Sequence, residues 1–121
     1  MPNSMQYPAV LTTDLTVTIA SSGSLSSAVD LSGTTISGYI MPSSWTAASV
    51  TFQASSDGTN FFDLYDKLGN EVKNTVSNSN FISIIPANFA SIRYLKIRSG
   101  TSATPVVQVA ERIITLITRA I

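Results

Sequence analysis

Asp57, Asp63 and Asp66 fall within ten positions of one another and form the densest group in the sequence that could do chemistry. Hard cations such as calcium take several oxygen ligands, which loop carboxylates and backbone carbonyls can supply. The spacing argues against a shared ion. Asp57 lies in one turn signal, Asp57-Gly58, and Asp66 lies in the next. A nine-residue strand between them holds its ends roughly 30 Å apart at about 3.3 Å per residue. Turn and strand-edge roles suit all three aspartates better. Paired carboxylates for glycoside hydrolysis need a set separation across a cleft, and nothing in this spacing marks one.

Histidine and cysteine are both absent. Their absence removes the commonest general base, the commonest metal ligand, any thiolate nucleophile and any disulfide framework. A Ser-His-Asp triad is therefore impossible. A Ser-Lys pair would need a desolvated lysine, and Lys67 and Lys73 both lie in polar, turn-like sequence. The six glycines are dispersed, so no phosphate-cradling loop is present. The reading is of a protein that is not an enzyme, with no catalytic, cofactor-binding or metal-binding residue to assign.

Two other groups call for a role. Trp45, the one tryptophan, could be an aromatic platform for a sugar or partner protein, or a plug closing one end of a sandwich. Burial tendencies favour the plug. Arg93, Lys96 and Arg98 share one strand, with Lys96 and Arg98 on the same face. They read as a solvated or charge-protected sheet surface, or as a patch for an acidic partner. The first is favoured, because exposed ion pairs contribute little.

The elements that position these residues are strands. Residues 49–65 read as two strands joined at Asp57-Gly58, with Val50, Phe52 and Ala54, then Phe62 and Leu64, turned inward. Similar alternation or β-branched enrichment marks residues 15–19, 25–31, 34–41, 81–85, 92–98, 106–109 and 112–119, with Val72 opening another short strand. Gly38 inside one of these suggests a bulge. Pro86 to Phe89 suggests one 3₁₀ turn with Phe89 tucked inward. The expectation is an all-β, antiparallel, jelly-roll-like sandwich of eight or nine short strands. Residues 1–13 read as an extended N-terminal arm and residues 14–121 as a single β-sandwich domain.

The chain has 121 residues, 44% of them apolar and 12% charged, and seven basic residues balance seven acidic ones. It suffices for one real core, and the low charge argues against disorder. No basic stripe for nucleic acid and no bilayer-length apolar run is present. The start lacks the pattern of a secretion signal, so a soluble protein made in cytoplasm is expected. A Ser/Thr-rich surface with so little charge is poorly protected against association, which implies a partner.

The stretch PSSWTAASVTFQASSDGTNFFDLYD at 42–66 resembles a pattern in small proteins of tailed bacteriophages and prophages. IIPANF at 84–89 and IRYLKIRSGT at 92–101 continue it, so the resemblance covers about half of the chain. Residues 89–100 are also similar to the closing strands of discoidin-like sugar- and lipid-binding domains, without the cysteines common in many of them. The first resemblance implies a virion structural protein, most naturally a capsid decoration or cement protein that binds the outer surface of the head and braces it. Its partner would be the major capsid protein. Symmetry suggests a homo-oligomer, with a trimer at threefold positions among the options, although the sequence does not count subunits. Residues 1–13 or the apolar end, 113–121, could add a strand to a neighbour. The alternatives are a carbohydrate-binding module of a head or tail fibre, using Trp45, or a head-completion or tail-connector component.

Overall fold

The computed structural model of the chain describes residues 12–120, with side chains from Leu15 onward. The expected arm lies outside that range, except that Thr12 and Thr13 already belong to the first strand. Eight strands follow one another: β1 (Thr12–Ile19), β2 (Val29–Asp30), β3 (Thr34–Ile40), β4 (Val50–Ser55), β5 (Phe62–Asp63), β6 (Phe81–Ser83), β7 (Tyr94–Ser99) and β8 (Arg112–Ala120). One sheet, here sheet A, has the order β1-β8-β3-β6, and the other, sheet B, has the order β2-β7-β4-β5. First strand pairs with last, second with seventh, third with sixth and fourth with fifth, all antiparallel. This nesting is a long hairpin rolled into two layers, the jelly roll that the strand count suggested.

Alternation along the strands builds the core. Val17 and Ile19 of β1 meet Ile114 and Leu116 of β8 on the inner face of sheet A, and Val50, Phe52, Leu95 and Ile97 face them from sheet B. Phe52 lies at the centre, edge-to-face with Tyr39 at 6.1 Å and with Phe89 at 5.0 Å between ring centroids. Such pairs contribute about 0.5–1.5 kcal/mol each beyond burial. Phe89 arrives on a 3₁₀ turn, Pro86–Asn88, as the proline spacing implied. β3 carries the expected bulge, a register shift between Ile36 and Gly38. A methyl group at Gly38 would stand 2.8 Å from the Phe81 ring, so the ring lies across the glycine.

Several expected elements differ. The 49–65 hairpin pairs only Gln53 with Asp63 and Ala54 with Phe62, so residues 56–61 form a longer loop instead of a tight turn. Phe62 sits on the outermost strand of sheet B and is 71% exposed, not inward-facing. Residues 81–85 are not a buried strand either. β6 is an edge of three residues, with Phe81 61% and Ile85 66% exposed. Residues 106–109 form no strand, and Val107 and Val109 face outward. Val72 opens no strand; its neighbourhood is held by single bridges, Tyr65 to Glu71 and Val50 to Asn74. Of residues 25–31 only Val29–Asp30 is strand. The apolar end is occupied as well. β8 lies between β1 and β3, so 113–120 has no free edge to offer a neighbour.

One polar side chain fastens the 100–111 connection to the sandwich. Gln108 is fully buried and its Oε1 accepts from the Thr46 backbone N–H at 2.8 Å and from Arg112 Nε at 3.0 Å. Its Nε2 donates to the Thr46 carbonyl at 3.0 Å and to Ser99 Oγ at 2.7 Å. Neither the spacing nor the residue type singled it out. Gln108→Ala strands these buried partners, each costing about 1–3 kcal/mol. Urea unfolding of this variant is expected to show a loss of about 3 kcal/mol or more; a loss within ordinary surface variation would contradict the assignment.

Candidate interaction surfaces

The two outer faces of the sandwich are unlike each other. The outer face of sheet B carries Thr51, Gln53 and Ser55 from β4, Tyr94, Lys96 and Arg98 from β7, and Asp63 from β5. Every basic group there is engaged by the chain itself. The Arg98 side chain is 6% exposed and donates to Glu71 Oε2 at 3.2 Å and to Asp63 Oδ1. Glu71 also accepts the Ser102 N–H at 3.1 Å, so the guanidinium joins β5, the 66–71 turn and the 100–104 loop through two carboxylates. Lys96 lies over the Phe61 ring at 4.3 Å, and Arg93 stacks on Tyr94 at 5.0 Å while facing Asp30 at 3.6 Å. The three bases expected to form a solvated or docking patch are instead a buried clamp and two rim contacts.

The aspartates serve the same face separately. Asp57 organises the 56–61 loop by accepting the N–H groups of Thr59 and Asn60, each at 2.8 Å, and the Asn60 side chain at 2.9 Å. Gly58, at φ 79°, lies against the Tyr94 ring there, so a side chain would be strained by its backbone and its Cβ would stand a tight 3.2 Å from the ring. Asp66 accepts from the N–H groups of Leu68 and Asn70 in the next turn. Among the described residues, no three acidic groups are placed to hold one metal ion. Trp45 packs its ring against the core and donates its indole N–H to the Ala48 carbonyl at 3.1 Å, which fits the plug and leaves only a shallow hollow beside Val76 and Asn78.

Sheet A presents a different face. Cross-strand neighbours Phe81, Ile40, Thr115 and Thr16 form one row across β6, β3, β8 and β1, with Ile117 in an adjacent row and Ile113 beside Thr18. Phe81 is 61% and Ile113 50% exposed, and Ile40 is also exposed. From Leu15 onward the one charged side chain on this face is Arg119, at its margin.

The sandwich is also open along one side. A cleft of about 520 Å³ runs between β6 and the 71–75 segment, with Val72, Ile82, Ile84 and Phe89 as its apolar lining and Asp66, Glu71 and Lys73 among its polar groups. Asn74 borders both this cleft and the buried Tyr39 hydroxyl, which closes no hydrogen bond of ordinary geometry. Burial pushes the Tyr39 phenol well above its usual pKa.

Fold and surface together define a jelly-roll sandwich with one face dressed by its own polar contacts and one left bare. Comparisons with protein-family models, curated proteins and solved structures give no match.

The charge clamp makes stability depend on pH in a stated direction. Hydrogen bonds from the Asn60 and Thr59 backbone hold Asp57 below the usual carboxylate range, and the Arg98 guanidinium does the same for Asp63. A carboxylate depressed on folding contributes stability above its unfolded pKa, about 3.9, and loses that contribution as pH falls through the folded value. Thermal midpoints should therefore hold near neutrality and fall below about pH 4. Asp57→Asn, which keeps an acceptor but removes the titration, should flatten that acid limb; an unchanged limb would count against the loop's contribution. Arg98→Ala should cost about 1.5–3 kcal/mol by removing charge-assisted hydrogen bonds to the partly buried Glu71 and to Asp63. Arg93→Ala should cost less than about 1 kcal/mol. Equal losses from the two would show that the clamp is not a buried one.

Proposed function

We propose that the chain is a non-enzymatic structural protein of a bacteriophage virion, decorating or cementing the outer surface of the head. The observation that carries the reading is the bare outer face of sheet A, where Phe81, Ile40 and Ile113 stand exposed among threonines. A face of this kind suits a protein surface. It offers no basic stripe for nucleic acid, and sheet B shows that this chain can satisfy its charges internally. The resemblance of residues 42–101 to small tailed-phage proteins supplies the setting. Viral capsid and lectin domains both use jelly rolls, so the fold is compatible with this role without selecting it.

On this reading, the major capsid protein is the partner and the sheet face is the docking surface. The sugar-binding alternative has only part of Trp45 to use, because its N–H bonds the Ala48 carbonyl and its ring is partly packed on the core, with the rest bordering the hollow beside Val76 and Asn78. Ile113→Lys and Ile40→Lys, on the bare face, should leave the circular dichroism spectrum unchanged and lower the thermal midpoint modestly, Ile40→Lys the more because Ile40 is the less exposed. Ile113 is 50% and Ile40 36% exposed, so each change removes a contact of about 1 kcal/mol and binding to purified particles should weaken roughly fivefold. Copy number by quantitative mass spectrometry separates the alternatives. A shell-covering number supports decoration, a ring-sized number assigns the chain to a connector, and absence from particles overturns the proposal.

A further inference from the structure

We infer that the open cleft between β6 and residues 71–75 receives residues 5–11 of a second copy of this chain, as an added strand. The first support is the backbone. In the β3–β6 ladder Met41 donates to the Asn80 carbonyl, and register alternation then turns Ile82 toward β3 and Phe81 and Ser83 away from it. The N–H and C=O groups of Phe81 and Ser83 thus point away from β3 along the open edge, those of Ser83 at the cleft, with no partner among the described residues. An extended segment laid there would pair with them.

The second support is the occupant's chemistry. Val72, Ile82, Ile84, Ile85 and Phe89 line the cleft beside Asp66, Glu71 and Lys73, so it can cover apolar side chains on one side of an added strand. Met5, Tyr7, Ala9 and Leu11 alternate in that manner, and residues 5–11 hold no charged side chain. Pro8 lacks an N–H, which an edge strand tolerates where that position faces solvent.

The third support is reach, which selects another copy. Thr12 opens β1, at the opposite edge of sheet A from β6. Three strand spacings separate those edges, about 14 Å at about 4.8 Å each. Ala9 lies three residues before Thr12 and extends at most about 11 Å from it, and Leu11 extends less than about 4 Å. These residues fall short of their own cleft. They can enter only a neighbour's.

The chain has no cysteine, so introduced thiols report without background. Full-length Ala9→Cys and Ser83→Cys variants, mixed in equal amounts under a mild copper-phenanthroline oxidant, should give a disulfide-linked heterodimer on a non-reducing gel. Its yield should exceed that of an Ala9→Cys and Ala103→Cys control by about tenfold or more, since a docked strand holds the thiols at millimolar effective concentration. No excess over the control overturns the inference. So does an Ala9→Cys/Ser83→Cys double variant that closes within single chains at high dilution, which would place the segment in its own cleft. Light scattering gives an independent readout. The full chain should associate, and Tyr7→Asp should return it to monomer mass with an unchanged circular dichroism spectrum. Unaltered mass overturns the inference. These measurements need no virus particles, so they stand or fall separately from the decoration role.

Discussion

The pairing of β1 with β8 is the constraint on which the rest of the structure depends. Its register runs without a break from Thr12 opposite Arg119 to Ile19 opposite Arg112, joining opposite ends of the described chain. The other pairings nest inside it. Closing so long a loop costs conformational entropy that only burial repays, so such a topology is reached through non-local contacts and forms slowly. β8 carries the largest share because it is hydrogen-bonded on both sides and alternates strictly along its length. Ile114 and Leu116 occupy the core, while Ile113, Thr115 and Ile117 stand on the outer face. Arg112, buried at its start, keeps its polar groups satisfied through Gln108 and Thr46.

Unequal dressing of the two sheets follows from where the connections go. Residues 56–61, 65–74 and 100–104 gather over and around the outside of sheet B, bringing Glu71 to Arg98 beside Asp63 of β5, and Ser102 to Glu71. Thr51, on that outer face, is fully buried and donates to the Gly100 carbonyl at 2.7 Å. Sheet A has no comparable cover among the described residues. A buried ion cluster contributes little net stability against an apolar equivalent, but removing one member leaves an uncompensated charge. The clamp therefore fixes the position of loops more than it adds to the core, and sheet A keeps Phe81, Ile40 and Ile113 open together on one face while the other exposed apolar side chains are spread over loops and edges.

Much of the architecture was legible in the sequence, and the reasons for the failures are physical. Period-two alternation and β-branched residues located β1, β3, β4, β7 and β8, and β-branching correctly favoured strand over helix at the end of the chain. Gly38 announced its bulge and Pro86 its turn. Alternation assigns a side chain to one of two faces without saying whether that face is covered. Phe62 and Phe81 obey the pattern yet lie on edge strands where the sandwich is open, so they are exposed. Arg98 read as a surface cation because its partners lie 27 and 35 residues away, beyond any local pattern. Gln108 gave no signal, since its role depends on a loop crossing that only the assembled fold creates.

A docking face with so little charge, as proposed for sheet A, would have energetic consequences of its own. Partly exposed side chains such as Phe81, Ile40 and Ile113 contribute about 1 kcal/mol each when their remaining surface is covered. Association costs several kcal/mol in lost translational and rotational freedom, so one copy binding by this face alone would be held weakly. Weak, salt-insensitive sites become firm when they act together, because each bound copy raises the effective concentration of its linked neighbour. In the proposed roles the cleft supplies that linkage. A strand shared between copies turns separate docking events into one multivalent attachment, and the bare sheet face keeps every copy in register. The two surfaces are then complementary parts of a lattice, with the apolar face choosing the substrate surface and the open edge joining the copies on it.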